Sequence, residues 1–140
     1  MARTVSASAS VPAIVLDTHA LIWWTQQPEL LSSKAAVAIA DAEIIHVPTI
    51  AFWETALLVR KGRLALKRSQ PVSDWAAEIL SIPRIAAAPL DAFIAMAADG
   101  LDMHQDPADR FIAATALELE CPLVTKDDLL RGLSWLKTVW

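Results

Sequence analysis

The chain of 140 residues contains little of what a secreted or membrane-bound protein needs. Cys121 is its single cysteine, so an intrachain disulfide is excluded. No apolar run approaches the roughly 18 residues needed to span a bilayer, which excludes an integral membrane protein. The first ten residues include one basic residue and no apolar core, so they form no secretory signal. We expect a cytoplasmic protein with a flexible leader at residues 1–12 and a single domain at 13–140.

An excess of positive charge is also absent, because 12 lysines and arginines stand against 16 aspartates and glutamates. Proteins that bind nucleic acid are often basic overall, so the net charge of −4 argues mildly against one. Charge placement matters more than the total, however, since a metal site built from carboxylates would itself make the bare chain acidic. Apolar residues make up 55% of the chain, which favours a well-filled core, or such a core with an apolar surface for a partner.

The cysteine and histidine spacing that marks a zinc site is missing as well. His19, His46 and His104 are scattered along the chain, and each is expected to be structural or exposed. His104 stands just upstream of Asp106 and is the only histidine that we place near a candidate site.

Short apolar segments alternate with helical patterns along the chain. The expected strands cover residues 14–16, 44–47, 84–88, 123–125 and 135–139. The first expected helix begins at residue 18, and others cover 34–42, 50–61, 71–80, 92–98 and 106–120. The expected helix caps include Ser32, Thr49, Asp91 and Asp106. This alternation predicts an α/β fold with a parallel sheet and helices on both of its faces.

Two of the expected strands run into an aspartate. Asp17 follows the strand at 14–16, and Asp127 follows the strand at 123–125 after one lysine. Ligands of open α/β sheets bind at the carboxyl ends of the strands, so both acids are candidate site residues. A turn or helix-cap role is the alternative for Asp127. The hydroxyl of Thr125 could orient a carboxylate or a water.

Glu54 interrupts an apolar stripe on the third expected helix. The stripe consists of Ile50, Trp53, Leu57 and Leu58. A lone carboxylate that points inward costs several kcal/mol unless it is paired or bound to a metal. Glu54 is therefore a candidate site residue, and a salt bridge to Arg110 is the alternative.

Two further acids stand at the start of the sixth expected helix. Asp106 suits the N-cap, Pro107 the first helical position, and Asp109 the third, so both acids could simply stabilise the helix N-terminus. Asp109 also begins an apolar face. That face continues through Ile112, Ala113 and Ala116. Asp109 is accordingly a candidate for a site, with Asp106 in a lesser role.

The four acids are more informative together than one by one. They are Asp17, Glu54, Asp109 and Asp127. Two unit charges ~4 Å apart repel by roughly 4 kcal/mol at an effective dielectric constant of about 20, so a cluster of them must be protonated, paired or bound to a cation. Ligand sets made only of oxygen suit Mg²⁺ and Mn²⁺.

The chain resembles the PIN-domain family, and within it the VapC-type ribonuclease toxins of type II toxin–antitoxin systems. The matching segments are residues 16–24, 53–54, 62–64, 104–110 and 123–127, in the order in which the family has them. The resemblance implies a three-layer α/β/α sandwich with a mainly parallel central sheet. It further implies a Mg²⁺- or Mn²⁺-dependent endoribonuclease that forms a homodimer and is blocked by a cognate antitoxin. Because the chain has no long apolar run, we expect no membrane partner.

Residue by residue, the resemblance assigns the metal-site acids to Asp17, Glu54, Asp109 and Asp127. Thr125, Asp106 and Arg110 are carried over as supporting residues. A separate run of cations could hold RNA phosphates or contact an antitoxin. That run consists of Arg60, Lys61, Arg63, Lys67 and Arg68.

Two other functions compete with the nuclease. A phosphatase of the haloacid dehalogenase type also begins at a strand-end aspartate, but it needs a second aspartate where this chain has His19. A non-catalytic binding domain would account for the high apolar fraction and for the capping roles of Asp106 and Asp109. Tryptophans at 23, 24 and 53 could form either the core or the surface that an antitoxin covers.

Overall fold

Five short apolar segments form the strands of a parallel sheet in the computed structural model, which describes residues 12–140. The strands are β1 (Ala13–Leu16), β2 (Ile44–Pro48), β3 (Ile85–Ala88), β4 (Leu123–Val124) and β5 (Thr138–Val139). Their order across the sheet is β3-β2-β1-β4-β5. The central position of β1 places its carboxyl end between the ends of β2 and β4. All but the last residue of the expected leader at 1–12 lies outside the described residues.

Seven α-helices lie between successive strands in the described part of the chain. They are α1 (Thr18–Gln26), α2 (Ser33–Asp41), α3 (Thr49–Arg60), α4 (Val72–Leu80), α5 (Ala92–Asp99), α6 (Pro107–Leu119) and α7 (Asp128–Arg131). Side chains of Ser32, Asp91 and Asp106 accept backbone N–H bonds at the starts of α2, α5 and α6, as expected. None of the helices in this part of the chain is long and apolar enough to cross a bilayer.

The core lies on both faces of the sheet because successive strand residues point in opposite directions. Ile14 and Leu16 pack into one buried cluster with side chains of α1, α2 and α4, whereas Val15 packs into another with α6 and α7. Trp75 is buried in the first cluster, and its indole Nε1 donates to the hydroxyl of Thr25 at 2.9 Å. The predicted α/β fold with helices on both faces is confirmed.

Some predicted boundaries differ from the structure. Thr49 is not a cap but the first residue of α3, and its hydroxyl accepts the backbone N–H of Leu90 at 3.2 Å. Pro48 takes the cap position without a side-chain bond. The last strand spans only 138–139 rather than 135–139, because residues 135 and 136 belong to a turn. The Ala-rich segment at 84–88 does form a strand, which pairs with β2 at the edge of the sheet.

Arg110 on α6 holds the loop that joins α5 to α6. Its guanidinium donates to five backbone carbonyls. They belong to Ala98 (3.2 Å), Asp99 (3.1 Å), Leu101 (2.7 Å), Met103 (3.0 Å) and His104 (3.2 Å). The predicted alternative of a salt bridge between Arg110 and Glu54 is therefore wrong. A planar group with five donors suits this task because the carbonyls converge on it from several directions.

Replacing this clamp should destabilise the fold. We expect Arg110→Gln to lower the free energy of unfolding by about 2–3 kcal/mol, because several hydrogen bonds from a charged donor disappear together. Urea denaturation measures the change. The control is Arg131→Gln, which breaks only the exposed pair with Asp128 at 3.7 Å and should cost less than about 0.5 kcal/mol. Equal effects of the two variants would contradict a clamping role for Arg110.

Candidate active site

Asp17 lies at the carboxyl end of β1 and caps α1. The residue is only 7% exposed, and its carboxylate accepts the backbone N–H of Thr18 at 2.6 Å and the hydroxyl of Thr125 at 2.6 Å. The second contact follows from the sheet register, in which Leu16 of β1 pairs with Val124 of β4. Asp17 directly follows Leu16 and Thr125 directly follows Val124, so these two residues lie side by side. Of the carboxylate or water that Thr125 was expected to orient, the hydroxyl contacts the carboxylate of Asp17.

Glu54 reaches the same edge of the sheet from α3. The hydroxyl of Thr18 donates to Glu54 Oε1, which ties the start of α1 to the middle of α3. The predicted apolar stripe around Glu54 is wrong as a core face, because Trp53 is 54% exposed whereas Ala51 and Thr55 are buried. Glu54 therefore lies at the border between the packed face of α3 and an apolar surface that faces solvent.

Asp109 lies in the first turn of α6 and is half-buried. Its backbone N–H donates to the carboxylate of Asp106 at 3.0 Å, so Asp106 caps the helix as expected. Asp109 Oδ2 accepts a hydrogen bond from His104 Nε2 at 2.8 Å, which places His104 beside the site as predicted. The next residues on the same face of α6, Ile112 and Ala113, are fully buried, so Asp109 ends the packed face at its solvent edge.

Asp127 caps the short helix α7. Its Oδ1 accepts the backbone N–H groups of Leu129 at 2.9 Å and Leu130 at 3.0 Å. Its own backbone N–H donates to the hydroxyl of Thr125 at 3.0 Å, and the same hydroxyl donates to Asp17. Asp127 thus has the cap role given as its alternative, and it is also linked to Asp17 through one threonine.

These four acids come from distant parts of the chain and line one open pocket of about 530 Å³. The pocket is lined by Asp17, Thr18, His19, Trp23, Glu54, Asp106, Asp109, Lys126, Asp127 and Asp128. Lys126 is the only lysine or arginine among the lining residues. The structure thus brings the four predicted acids together at the carboxyl edge of the sheet. His46, in β2, is not among these lining residues.

The environment of the pocket favours the neutral form of three of its carboxyl groups. Burial raises the pKa of Asp17, against the lowering effect of its hydrogen bond from Thr125. Burial also raises the pKa of Glu54, and the charges of Asp17 and Asp109 add to that effect. Burial, with smaller contributions from neighbouring acids, raises the pKa of Asp109 to about 6. A cation in the pocket would oppose all of these shifts.

The donor set fits a hard divalent cation that keeps much of its water. Among residues 12–140, no three side chains of His, Cys, Asp or Glu are grouped as ligands of one ion. Mg²⁺ retains several waters and is commonly bound through one or two carboxylates, so the remaining acids would act through those waters. The acids that line the pocket offer carboxylate oxygens, which are the ligands that Mg²⁺ and Mn²⁺ prefer.

Sequence reasoning alone does not identify five of the pocket residues as site residues, namely Thr18, His19, Trp23, Lys126 and Asp128. Thr18 fits the pattern of a helix start, yet it also bonds to Glu54. Trp23 and Lys126 line the pocket too, and the Lys126 ammonium lies 5.6 Å from the centre of the Trp23 ring. Thr18 directly follows Asp17 at the end of β1, and Lys126 lies between Thr125 and Asp127 just after β4, so proximity to strand ends is the signal that could have found them.

The class of α/β protein with this sheet order and an acidic carboxyl edge is identified by comparison with known families. The chain matches the PIN domain model over residues 14–136, and it belongs to the PIN-domain family. It is also 37% identical over 120 residues to Ribonuclease VapC22 of Mycobacterium tuberculosis. That alignment covers 85% of this chain and 90% of the relative.

Solved structures show the same fold at lower sequence identity. VapBC2 of Rickettsia felis, bound to a DNA fragment from its promoter, matches with a TM-score of 0.65 and 16% identity over 90% of this chain and 96% of that chain. A toxin–antitoxin complex from Klebsiella pneumoniae matches with a TM-score of 0.62 and 18% identity over 86% of this chain and 92% of that chain. At these identities the likeness concerns the fold alone.

The raised pKa of Asp109 should make stability depend on pH in metal-free protein. Between its ordinary value of 3.8 and about 6, the folded state holds a proton that the unfolded chain has released, so stability falls as the pH rises through this window. Asp109→Asn should therefore be stabilising at pH 7 by about 1 kcal/mol after discounting for partial exposure, or roughly 3 °C, and nearly neutral at pH 4.

Thermal unfolding in EDTA at the two pH values measures this difference. Asp102→Asn is the matched control, because Asp102 is exposed on the nearby loop and lines no part of the acidic pocket. A stabilisation by Asp109→Asn that is the same at pH 4 and pH 7 would contradict the raised pKa.

Proposed function

We propose that this chain is a metal-dependent endoribonuclease that hydrolyses RNA phosphodiester bonds. The observation that carries the proposal is the convergence of Asp17, Glu54, Asp109 and Asp127 on one pocket, in which burial opposes the ionisation of the first three. The ribonuclease to which the chain is 37% identical supports the same activity. A non-catalytic binding domain would have no use for acids gathered at a cleft with so few cationic partners.

The four acids would hold Mg²⁺ or Mn²⁺ in this proposal, directly or through water. When bound, such a cation lowers the pKa of a coordinated water and offsets the charge that develops on a phosphate. Thr125 fixes the Asp17 carboxylate, and Thr18 fixes that of Glu54. His104 orients Asp109. Because these carboxylates have hydrogen-bond donors of their own, they keep their places before a cation arrives.

Asp106 and Arg110 have supporting parts. Asp106 fixes the first turn of α6 through its bond to the Asp109 N–H, and it adds negative charge at the pocket rim. Arg110 holds the carbonyl of His104 at 3.2 Å, so it positions the segment from which His104 reaches Asp109. Neither residue needs to contact RNA for these effects.

An antitoxin that blocks the pocket is the partner we propose. An open apolar groove of about 590 Å³ lies beside the acids, and Glu54 and Asp106 line both the groove and the acidic pocket. The groove also includes Ile50, Trp53, Leu57, Pro107, Ala108 and Phe111. A chain seated there would cover the exposed Trp53 and lie across the entrance to the acids. The toxin–antitoxin complex from Klebsiella pneumoniae, which shares the fold, supports this partner class.

A homodimer in the cytoplasm completes the proposal. Phe93 is 83% exposed and Met96 is 73% exposed on α5, and these two residues lie three positions apart on one helical face. Large apolar side chains that lie exposed together often mark an interaction surface, so a second copy of the chain is a fitting cover for them.

Removing the charge of Asp17 should abolish activity without unfolding the protein. Asp17→Asn keeps one oxygen, which can still accept the Thr18 N–H and preserve the helix cap, while its amide nitrogen replaces the oxygen that accepts from Thr125. We expect metal-dependent cleavage of a labelled RNA to fall about 100-fold or more, because several kcal/mol of charge stabilisation are removed. Asp41→Asn, an exposed change at the end of α2, is the control. Undiminished cleavage by a folded Asp17→Asn variant would remove Asp17 from the mechanism.

Direct metal binding separates the nuclease from a binding domain. Calorimetry should show Mn²⁺ binding to the wild-type protein, and Glu54→Gln should weaken it by roughly 10-fold or more because one carboxylate charge is removed. Glu118→Gln removes an equal charge from the exposed part of α6 and should leave the affinity unchanged. If the wild-type protein takes up no Mn²⁺, or if both variants weaken binding equally, the proposed metal site is wrong.

A further inference from the structure

A second cavity of about 540 Å³ adjoins the acidic pocket. His19 and Trp23 line both cavities, so these two side chains form the wall between them. The second cavity has no acid among its lining residues, and its cations are Arg63 and Lys67. Two neighbouring cavities of opposite charge therefore meet along one turn of α1.

The two cations are available to an anion. No ion pair joins Arg63 or Lys67 to an acid within residues 12–140, where the ion pairs are those of His104 with Asp109 and Arg131 with Asp128. Gly62, with a φ of +71°, reverses the chain after α3 and allows the Arg63 N–H to bond back to the Leu58 carbonyl at 2.9 Å. The turn thereby brings Arg63 to the rim of the cavity.

Gln26 is a buried polar residue in the same cavity wall. It is 9% exposed, and its Oε1 accepts the backbone N–H of Lys67 at 2.7 Å, which fixes the turn at 67–69 against α1. Its Nε2 donates to no acceptor within the part of the chain that the structure describes. A buried amide whose two donors have no protein acceptor needs water or a ligand in the cavity to accept from them.

The wall between the cavities is aromatic. The rings of His19 and Trp23 lie 5.6 Å apart on successive turns of α1, and His19 is exposed. Nucleobases stack on such rings, whatever their sequence. Cations, an aromatic face and an amide with free donors are the groups that recognise phosphate, base face and base edge in turn.

We propose that this second cavity is a nucleotide subsite for the RNA strand whose adjacent phosphodiester lies in the acidic pocket. Arg63 and Lys67 bind a flanking phosphate, His19 and Trp23 contact a base, and Gln26 donates to an acceptor on the edge of that base. The inference rests on the proposed ribonuclease function. An acidic segment of a protein would use the two cations but would leave the aromatic wall and the Gln26 amide without a purpose.

Binding without cleavage tests the subsite apart from catalysis. The probe is a short fluorescent single-stranded RNA, with anisotropy measured in EDTA at several salt concentrations. The double variant Arg63→Gln/Lys67→Gln should bind about tenfold more weakly, and its salt slope should fall by about 0.7, because the one phosphate that the two cations neutralise contributes about 0.7. Arg60→Gln/Lys61→Gln removes the same charges from residues outside both cavities and should change the affinity less than twofold.

A third variant separates base recognition from charge. Gln26→Met removes the two donors, so affinity should fall about fivefold, the equivalent of one hydrogen bond, while the salt slope stays unchanged. Thermal unfolding checks that removing the acceptor of the Lys67 N–H has not disturbed the fold.

Several outcomes would overturn the subsite. Equal weakening by the two double variants would show diffuse charge attraction, and an unaffected Gln26→Met would remove the base contact. A polyglutamate peptide that displaces the RNA with equal affinity would assign the cavity to an acidic protein partner. RNA that fails to bind the wild-type protein would also contradict the proposal. Because no cleavage is measured, failure of the nuclease activity itself would be seen separately, in the Asp17→Asn assay.

Discussion

The structure depends on the cost of gathering negative charge at the edge of a sheet. Asp17 is almost fully buried, and its neighbours in the pocket are mostly other acids. Burial raises the pKa of Asp17, Glu54 and Asp109, so without a cation the pocket resists the ionised state that its chemistry requires. A cation that binds there would offset this free-energy cost. This is the usual relation between stability and function at sites built from like charges.

The parallel register determines how that charge is held. Because β1 and β4 are neighbours, the residues that follow them stand side by side, and the Thr125 hydroxyl can donate to Asp17 while it accepts from the Asp127 N–H. One threonine thus links two acids that are 110 positions apart in the chain. A similar contact from Thr18 to Glu54 joins α1 to α3. Local hydroxyls therefore fix the carboxylates without supplying the positive charge that would neutralise them.

The sequence predicts the parts of this site that depend on short-range pattern. Apolar runs followed by Asp17 and Asp127 place both acids correctly, because strand ends and caps are local signals. Glu54 is placed correctly for an incorrect reason, since the stripe that surrounds it includes the exposed Trp53 and lines a groove rather than the core. The contacts of Thr18 with Glu54 and of Arg110 with five carbonyls are not predictable, because they depend on how helices pack.

The distribution of charged residues matters more than the net charge of −4. Acids line one cavity and cations line the next, with His19 and Trp23 between them. A polyanion alone would be repelled by the first cavity, and a metal ion alone would gain nothing from the second. A nucleic acid strand can bind in both cavities. One of its phosphates approaches a metal ion held by the carboxylates, while another contacts the fixed arginine and lysine side chains. The acidic composition is thus compatible with a nucleic acid substrate, since attraction depends on where each charge lies and what it holds.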